Sequence, residues 1–319
     1  MEYFVKLAGC LPEQGRDRNY IEERDKKMIK FFSPVILIVI SNVFYDISAK
    51  VFPNDLNMQF GLIIVYTVGV LTSMMIFFIS TKGKVSLIKE LKKANWTFIA
   101  YAICSMGIDM GYILLFRADW NVSIGSLFCN ILLAVSLLVI GMLFYKEKLG
   151  KTHFFGIALC IAGLIGVNVQ GEMTFGYFLP VIIVVGANVM YDVVAKAVPD
   201  DINTFAGLMV THFTLIIINA AIYIFGHGFS EMAHQITQIN WAVIVFALTL
   251  LGLDAGYILL YRVGWNLSLG TLVCNISLAV CMLIIGGTIF HEAILWQQIL
   301  GAAGCIAGFI MISYKEIRE

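Results

Sequence analysis

Charge is scarce in this sequence. Asp, Glu, Lys and Arg make up 13% of its 319 residues, about half the share of an ordinary soluble domain. That shortage excludes a water-solvated globular fold for most of the chain. Also missing are a GxSxG elbow, a phosphate-binding Walker A loop, an HExxH helix and a Gly-rich dinucleotide turn, so neither an enzyme nor an ATP-driven pump is expected. The seven cysteines include no CxxC and no Cys/His metal spacing. Six of them (Cys104, Cys129, Cys160, Cys274, Cys281 and Cys305) lie inside apolar runs, where Cys acts as a small hydrophobe. No metal, cofactor or nucleic-acid partner is expected, and residues 1–30 lack the pattern of a cleavable signal peptide.

What the sequence has is apolar length. Hydrophobic residues reach 60% and the mean hydropathy is +0.88. A helix needs about 20 apolar residues to cross a bilayer. Ten runs meet or approach that length: 32–52, 59–80, 97–117, 122–145, 153–170, 177–198, 204–226, 241–262, 267–290 and 297–314. The expected fold class is an all-α integral membrane protein with ten transmembrane helices. Pro34 and Pro180 are expected near helix starts, where a missing N–H costs little. Asn121/Ser123 and Asn266/Ser268 are expected to cap the fourth and ninth helices.

The basic residues orient this bundle. With a cytoplasmic N-terminus, nineteen of the 21 Lys and Arg face the cytoplasm, and only Lys50 and Arg117 fall outside. The positive-inside rule therefore places both termini in the cytoplasm. Residues 1–31 read as a polar cytosolic leader and 315–319 as a cytosolic tail. Embedding in the plasma membrane is the expected location.

The two halves are copies. Sixteen of the twenty-five positions in 107–131 are identical in 252–276. Asn42, Tyr45, Asp46, Lys50 and Pro53 recur as Asn188, Tyr191, Asp192, Lys196 and Pro199. The repeats span 32–170 and 177–314. Each holds five helices, an odd number, so the copies are expected to insert in opposite orientations. That is the architecture of many secondary transporters, with the site near the midplane between the repeats.

Two polar constellations occur in both copies. Asn42, Asp46 and Lys50 are spaced by four and share one helix face, as do Asn188, Asp192 and Lys196. Such a stripe avoids lipid. It reads either as an intrahelical Asp–Lys pair or as a contact for substrate or ion, with Tyr45 and Tyr191 on an adjacent face as an aromatic wall. The second constellation is Gly107-Ile108-Asp109-Met110-Gly111-Tyr112 and Gly252-Leu253-Asp254-Ala255-Gly256-Tyr257. A mid-span carboxylate is expensive and marks a functional site by default. Asp109 and Asp254 read as proton carriers, or as groups paired with Lys50 or Lys196, or hydrogen-bonded to Asn130 or Asn275. Tyr112 and Tyr257 share their faces, while the glycines form GxxxG packing faces. Asn130 and Asn275 suit interhelical hydrogen bonds. Glu147 and Glu292 sit at helix ends, and His212 stands where the first copy has Tyr66.

This layout resembles the drug/metabolite transporter superfamily, in particular its ten-helix EamA-type members. The resemblance covers 32–314. It rests on the five-plus-five repeat, on Lys50 and Lys196 ending the first and sixth helices, and on the acidic ends of the fourth and ninth. The last are Phe144-Tyr145-Lys146-Glu147-Lys148-Leu149-Gly150 and Phe290-His291-Glu292-Ala293. The sequence departs from the family pattern where Asn42-Val43 replaces a Trp-Gly, and where Ala134 and Ala279 replace prolines. The resemblance implies alternating-access transport of a small metabolite or drug-like compound, commonly export. Proton coupling through Asp109 and Asp254 is the expected mechanism, and the mildly acidic centre points to a cationic or zwitterionic substrate. The alternative is a channel or a lipid flippase built on the same bundle. Expected partners are a small-molecule substrate, membrane lipid, protons and, as the assembly kept open, a second copy of the chain.

Overall fold

The computed structural model describes residues 18–144, 175–229, 231–265 and 267–291, with isolated positions between 155 and 159 and between 296 and 307. The described residues form helices and connecting turns, with no strand among them. In chain order the helices are α1 (Arg18–Lys50), α2 (Met58–Thr81), α3 (Leu87–Leu91), α4 (Trp96–Arg117) and α5 (Val122–Phe144). There follow α6 (Phe175–Ala197), α7 (Thr204–His227), α8 (Met232–Thr237), α9 (Trp241–Arg262) and α10 (Leu267–Thr288). Among the described residues, six stretches are long and apolar enough to cross a membrane: α2, α4, α7, α9, and the segments Ile29–Lys50 of α1 and Phe178–Ala197 of α6. The runs 153–170 and 297–314, Glu147, Glu292 and Asn266 lie largely or wholly outside the described residues, while Ser268 falls in the first turn of α10. The chain is thus an all-helical integral membrane protein.

Helix α1 begins well before the apolar run at 32, so Pro34 lies inside it rather than near its start. Proline has no N–H to give the carbonyl four residues back. Here that carbonyl belongs to Lys30, and the Ser33 hydroxyl donates to it at 3.2 Å instead. Pro180 lies within the second turn of α6. Four long helices open on an asparagine whose side chain accepts from the first free backbone N–H groups: Asn57, Asn95, Asn203 and Asn240. The Asn121 carbonyl accepts from Gly125 N–H in the first turn of α5.

The glycine pairs in α4 and α9 behave as packing faces. A Cβ on Gly111 would sit 2.7 Å from Val184 Cγ2 on α6. A Cβ on Gly256 would sit 2.6 Å from Ile38 Cγ1 on α1. Close helix approach is what holds a bundle together where lipid gives no hydrophobic drive between helices. So α4 seats on α6 and α9 on α1, while α2 lies along α7 and α5 along α10.

The loops gather at two ends. At one, Arg117 donates to the carbonyls of Pro53 and Leu56 at 2.9 and 3.1 Å. Asn57 N–H donates to Gln235 Oε1 at 2.7 Å, and the Asn240 side chain reaches the Val51 carbonyl. At the other, Arg262 donates to the carbonyls of Pro199 and Ile202 at 2.5 and 3.0 Å. There Glu90 accepts from Asn203 N–H at 2.8 Å and from Lys93 at 2.7 Å, while Lys93 also donates to the Asp201 carbonyl. The Lys93 ammonium and the Asn203 N–H hold the Glu90 carboxyl below its ordinary value of 4.5. A lowered folded-state pKa contributes stability above the unfolded value, lost as pH falls through the lowered one.

Two outcomes check this packing. Gly111→Val drives a methyl into Val184 and lowers stability by about 1–3 kcal/mol, the cost of overpacking, read as a fall in melting temperature in detergent. Glu90→Gln loosens the loop clip by under about 1 kcal/mol because Lys93 is partly exposed. The loss is the same at pH 6 and 8 and vanishes in strong acid, measured by thermal unfolding across that range.

Candidate functional site

Four carboxylates are buried in the apolar interior: Asp46 on α1, Asp109 on α4, Asp192 on α6 and Asp254 on α9. Each accepts hydroxyl or imidazole groups from neighbouring helices. Asp109 takes the Tyr45 hydroxyl on Oδ1 and the Tyr66 hydroxyl on Oδ2, both at 2.7 Å. Asp254 takes the Tyr191 hydroxyl on Oδ1 at 2.7 Å and faces His212 Nε2 at 3.1 Å with Oδ2. The Tyr66 and His212 rings stack across the α2–α7 contact, 6.2 Å apart and 17° from parallel. The two central carboxylates are therefore joined through an aromatic pair rather than through lysines or asparagines.

The stripe on α1 departs from the expected intrahelical ion pair. Lys50 Nζ donates to the Trp120 carbonyl at 3.0 Å and lies over the Phe116 ring, 5.8 Å from its centroid. Asp46 instead accepts from Ser126 at 2.5 Å with Oδ2, and its buried Oδ1 has no partner among the described residues. The reason is steric. Lys50 stands at the end of α1, where its stem can reach the loop carbonyl, whereas Asp46 lies a turn deeper, against α5. The second copy closes the same arrangement fully. Asp192 accepts from Tyr261 at 3.0 Å and from Thr271 at 3.2 Å. Position 116, the counterpart of Tyr261, is phenylalanine, so the first copy lacks that hydroxyl. Lys196 is exposed at the end of α6.

A narrow cavity of about 30 Å³ lies between α1, α4, α5, α6, α9 and α10. That is room for about two waters. Its lining pairs equivalent positions: Asn42 with Asn188, Tyr45 with Tyr191, Tyr112 with Tyr257 and Asn130 with Asn275, plus Asp109. Tyr112 crosses Tyr45 edge to face at 5.6 Å and 87°, and Tyr257 crosses Tyr191 with the same distance and angle. Of the residues the sequence pointed to, the fold gathers Asn42, Asn188, Asp109, Tyr112, Tyr257, Asn130 and Asn275 around the cavity, whereas Asp46, Asp192, Asp254, Lys50 and Lys196 are not in its wall. What it missed are the partners: Tyr66, Ser126, Tyr261 and Thr271. Tyr45 and Tyr191 form the wall that was expected, and they are also the hydroxyl donors to the central Asp. A hint lay in the Tyr66/His212 exchange, two side chains that can each donate to a carboxylate from one place.

No family model matches the chain, and no curated protein matches it. Among the solved structures that are similar is a crystal structure with a TM-score of 0.58 and 12% sequence identity, covering 91% of this chain and 98% of its own. At that identity the likeness shows the fold alone.

The orphan oxygen of Asp46 gives a direct check. Phe116→Tyr supplies the hydroxyl that Tyr261 gives Asp192. It raises stability by about 1 kcal/mol, the usual worth of a hydrogen bond, seen as a higher melting temperature. An unchanged melting temperature would mean that Oδ1 is already satisfied.

Proposed function

We propose that the chain is a secondary active transporter of a small metabolite or drug-like compound, working by alternating access between two inverted five-helix repeats. The observation that carries this reading is the central cavity, walled by equivalent residues from both copies and holding a buried carboxylate. A soluble enzyme has no use for two such copies, whereas a carrier opening to both sides does. Further support comes from the loops. The one after α1 is tied to α8, and the one after α6 is tied to α3, so the equivalent stripes of α1 and α6 end at opposite ends of the bundle. The resemblance to EamA-type members of the drug/metabolite superfamily adds ten spans, with 153–170 and 297–314 as the fifth and tenth, and export as the direction. It also agrees with cytoplasmic termini and a plasma-membrane location.

Alternating access needs a closed state in which neither side reaches the site, and a cavity of about 30 Å³ is compatible with one. A continuous channel would need a wider path. Proton coupling is assigned to Asp109 and Asp254. Their hydroxyl and imidazole partners can hold a carboxylate and can also rotate away from a protonated one. In the second copy His212 gives the proton a second resting place.

Uptake by proteoliposomes under an imposed pH gradient tests the whole reading. The purified protein is expected to give saturable, gradient-driven flux. Asp109→Asn and Asp254→Asn are each expected to abolish the gradient's effect while leaving exchange of substrate across the membrane. Wild-type coupling in both variants would remove the carrier role, and flux without saturation would identify a channel.

A further inference from the structure

The polar atoms of the central site are unequally engaged, and the imbalance names a ligand class. Asp109 and Asp254 each have both carboxylate oxygens occupied by hydroxyl or imidazole groups of the protein. By contrast, the Nδ2 groups of Asn130 and Asn275 are buried and have no acceptor among the described residues. Both side chains line the cavity, from α5 and α10, and both are at least nine-tenths buried. They occupy equivalent positions in the two copies, each following a cysteine. A buried donor without an acceptor is destabilising. Here the same imbalance occurs twice, on facing helices, at a cavity where a guest could relieve it.

Charge is poorly matched there. The basic groups nearest in sequence are placed elsewhere: Lys50 on the Trp120 carbonyl, Lys196 exposed at the end of α6, and Arg117 and Arg262 on loop carbonyls at the two ends. An anion would therefore be buried without a counter-ion, which is prohibitively costly. A cation would have to share Asp109 with the Tyr45 and Tyr66 hydroxyls, one of which already sits on each of its oxygens. The wall beside the asparagines is aromatic and built of two equal edge-to-face pairs, Tyr45 with Tyr112 and Tyr191 with Tyr257. Flat rings are complementary to such walls.

We infer that the site takes an uncharged, planar molecule carrying two acceptor oxygens, one for Asn130 and one for Asn275, as in a cyclic imide. This rests on the transport reading for its purpose but not for its chemistry. It departs from the cationic substrate that the count of intramembrane carboxylates suggested. The narrow cavity has space for about two waters, so the bundle must open by parting the two copies before a ring enters.

The test is binding to the full-length purified protein in detergent, followed by thermal shift and calorimetric titration. The probes are uracil and phthalimide, with tetraethylammonium chloride and sodium benzoate as charged counterparts. The imides are expected to bind and the ions not. Asn130→Leu and Asn275→Leu keep the branched heavy-atom skeleton and remove the unpaired donor. Each should fold with a melting temperature at or above that of the parent and bind the imides about tenfold more weakly, the worth of one hydrogen bond. Should a leucine variant fail to fold, Asn130→Ser or Asn275→Ser shortens the donor and should weaken binding alike. Unchanged imide binding in the variants overturns the proposal, as does failure of both imides to bind, which is the result expected if the amides only hold two waters. Stabilisation by tetraethylammonium or benzoate alone overturns it too. Imide binding with no counterflow in proteoliposomes supports the site and removes the transport reading. Saturable counterflow of tetraethylammonium without imide binding does the reverse.

Discussion

Everything in this bundle answers to the cost of burying four carboxylates in a protein whose outer solvent is lipid. A charged group at mid-span costs about 2.5–3.5 kcal/mol even on the lenient insertion scale. All four are buried from bulk water, which would otherwise relieve it. The helices are therefore arranged so that hydroxyls arrive from neighbours: Tyr45 and Tyr66 at Asp109, Ser126 at Asp46, Tyr261 and Thr271 at Asp192. Each bond crosses between helices. The polar groups that make the interior expensive also fix which helices are neighbours, and the apolar exterior is left with nothing to specify.

The glycines complete that arrangement. Hydroxyl donors reach a carboxylate only when backbones approach closely, and Gly111 and Gly256 remove the side chains that would hold α4 from α6 and α9 from α1. Packing and polarity are thus interdependent here. At the ends of the bundle the same economy recurs with arginines. Arg117 and Arg262 sit at equivalent helix ends, and each holds by its carbonyls the loop between the first two long helices of its own copy, α1–α2 and α6–α7.

Much of the fold was legible in sequence because apolar length and duplication are written directly in it. The positions of Asp109 and Asp254, the GxxxG faces and the gathering of Asn42, Asn130 and their counterparts follow from helical periodicity and repetition. The pairing partners do not, because they depend on which helix lies against which, and periodicity carries no such information. Lys50 illustrates the limit. Four residues from Asp46 on one face, it satisfies every local rule for an ion pair, yet its stem reaches a carbonyl seventy residues away. Pro34 failed for a similar reason: the polar turns before it are helical too, so the apolar boundary is not the helix boundary.

The copies differ where it matters. Tyr66 faces His212, and Phe116 stands for Tyr261. In a carrier built from two inverted copies, exchanging the conformations of the halves converts an inward-open form into an outward-open one. Identical halves would make the two forms equal in free energy, and the carrier would rest evenly between them. One absent hydroxyl and one imidazole in place of a phenol break that equality. A single hydrogen bond of about 1 kcal/mol shifts a two-state population about fivefold. On the proposed transport reading, the resting direction of the bundle is then set by how far one copy differs from the other.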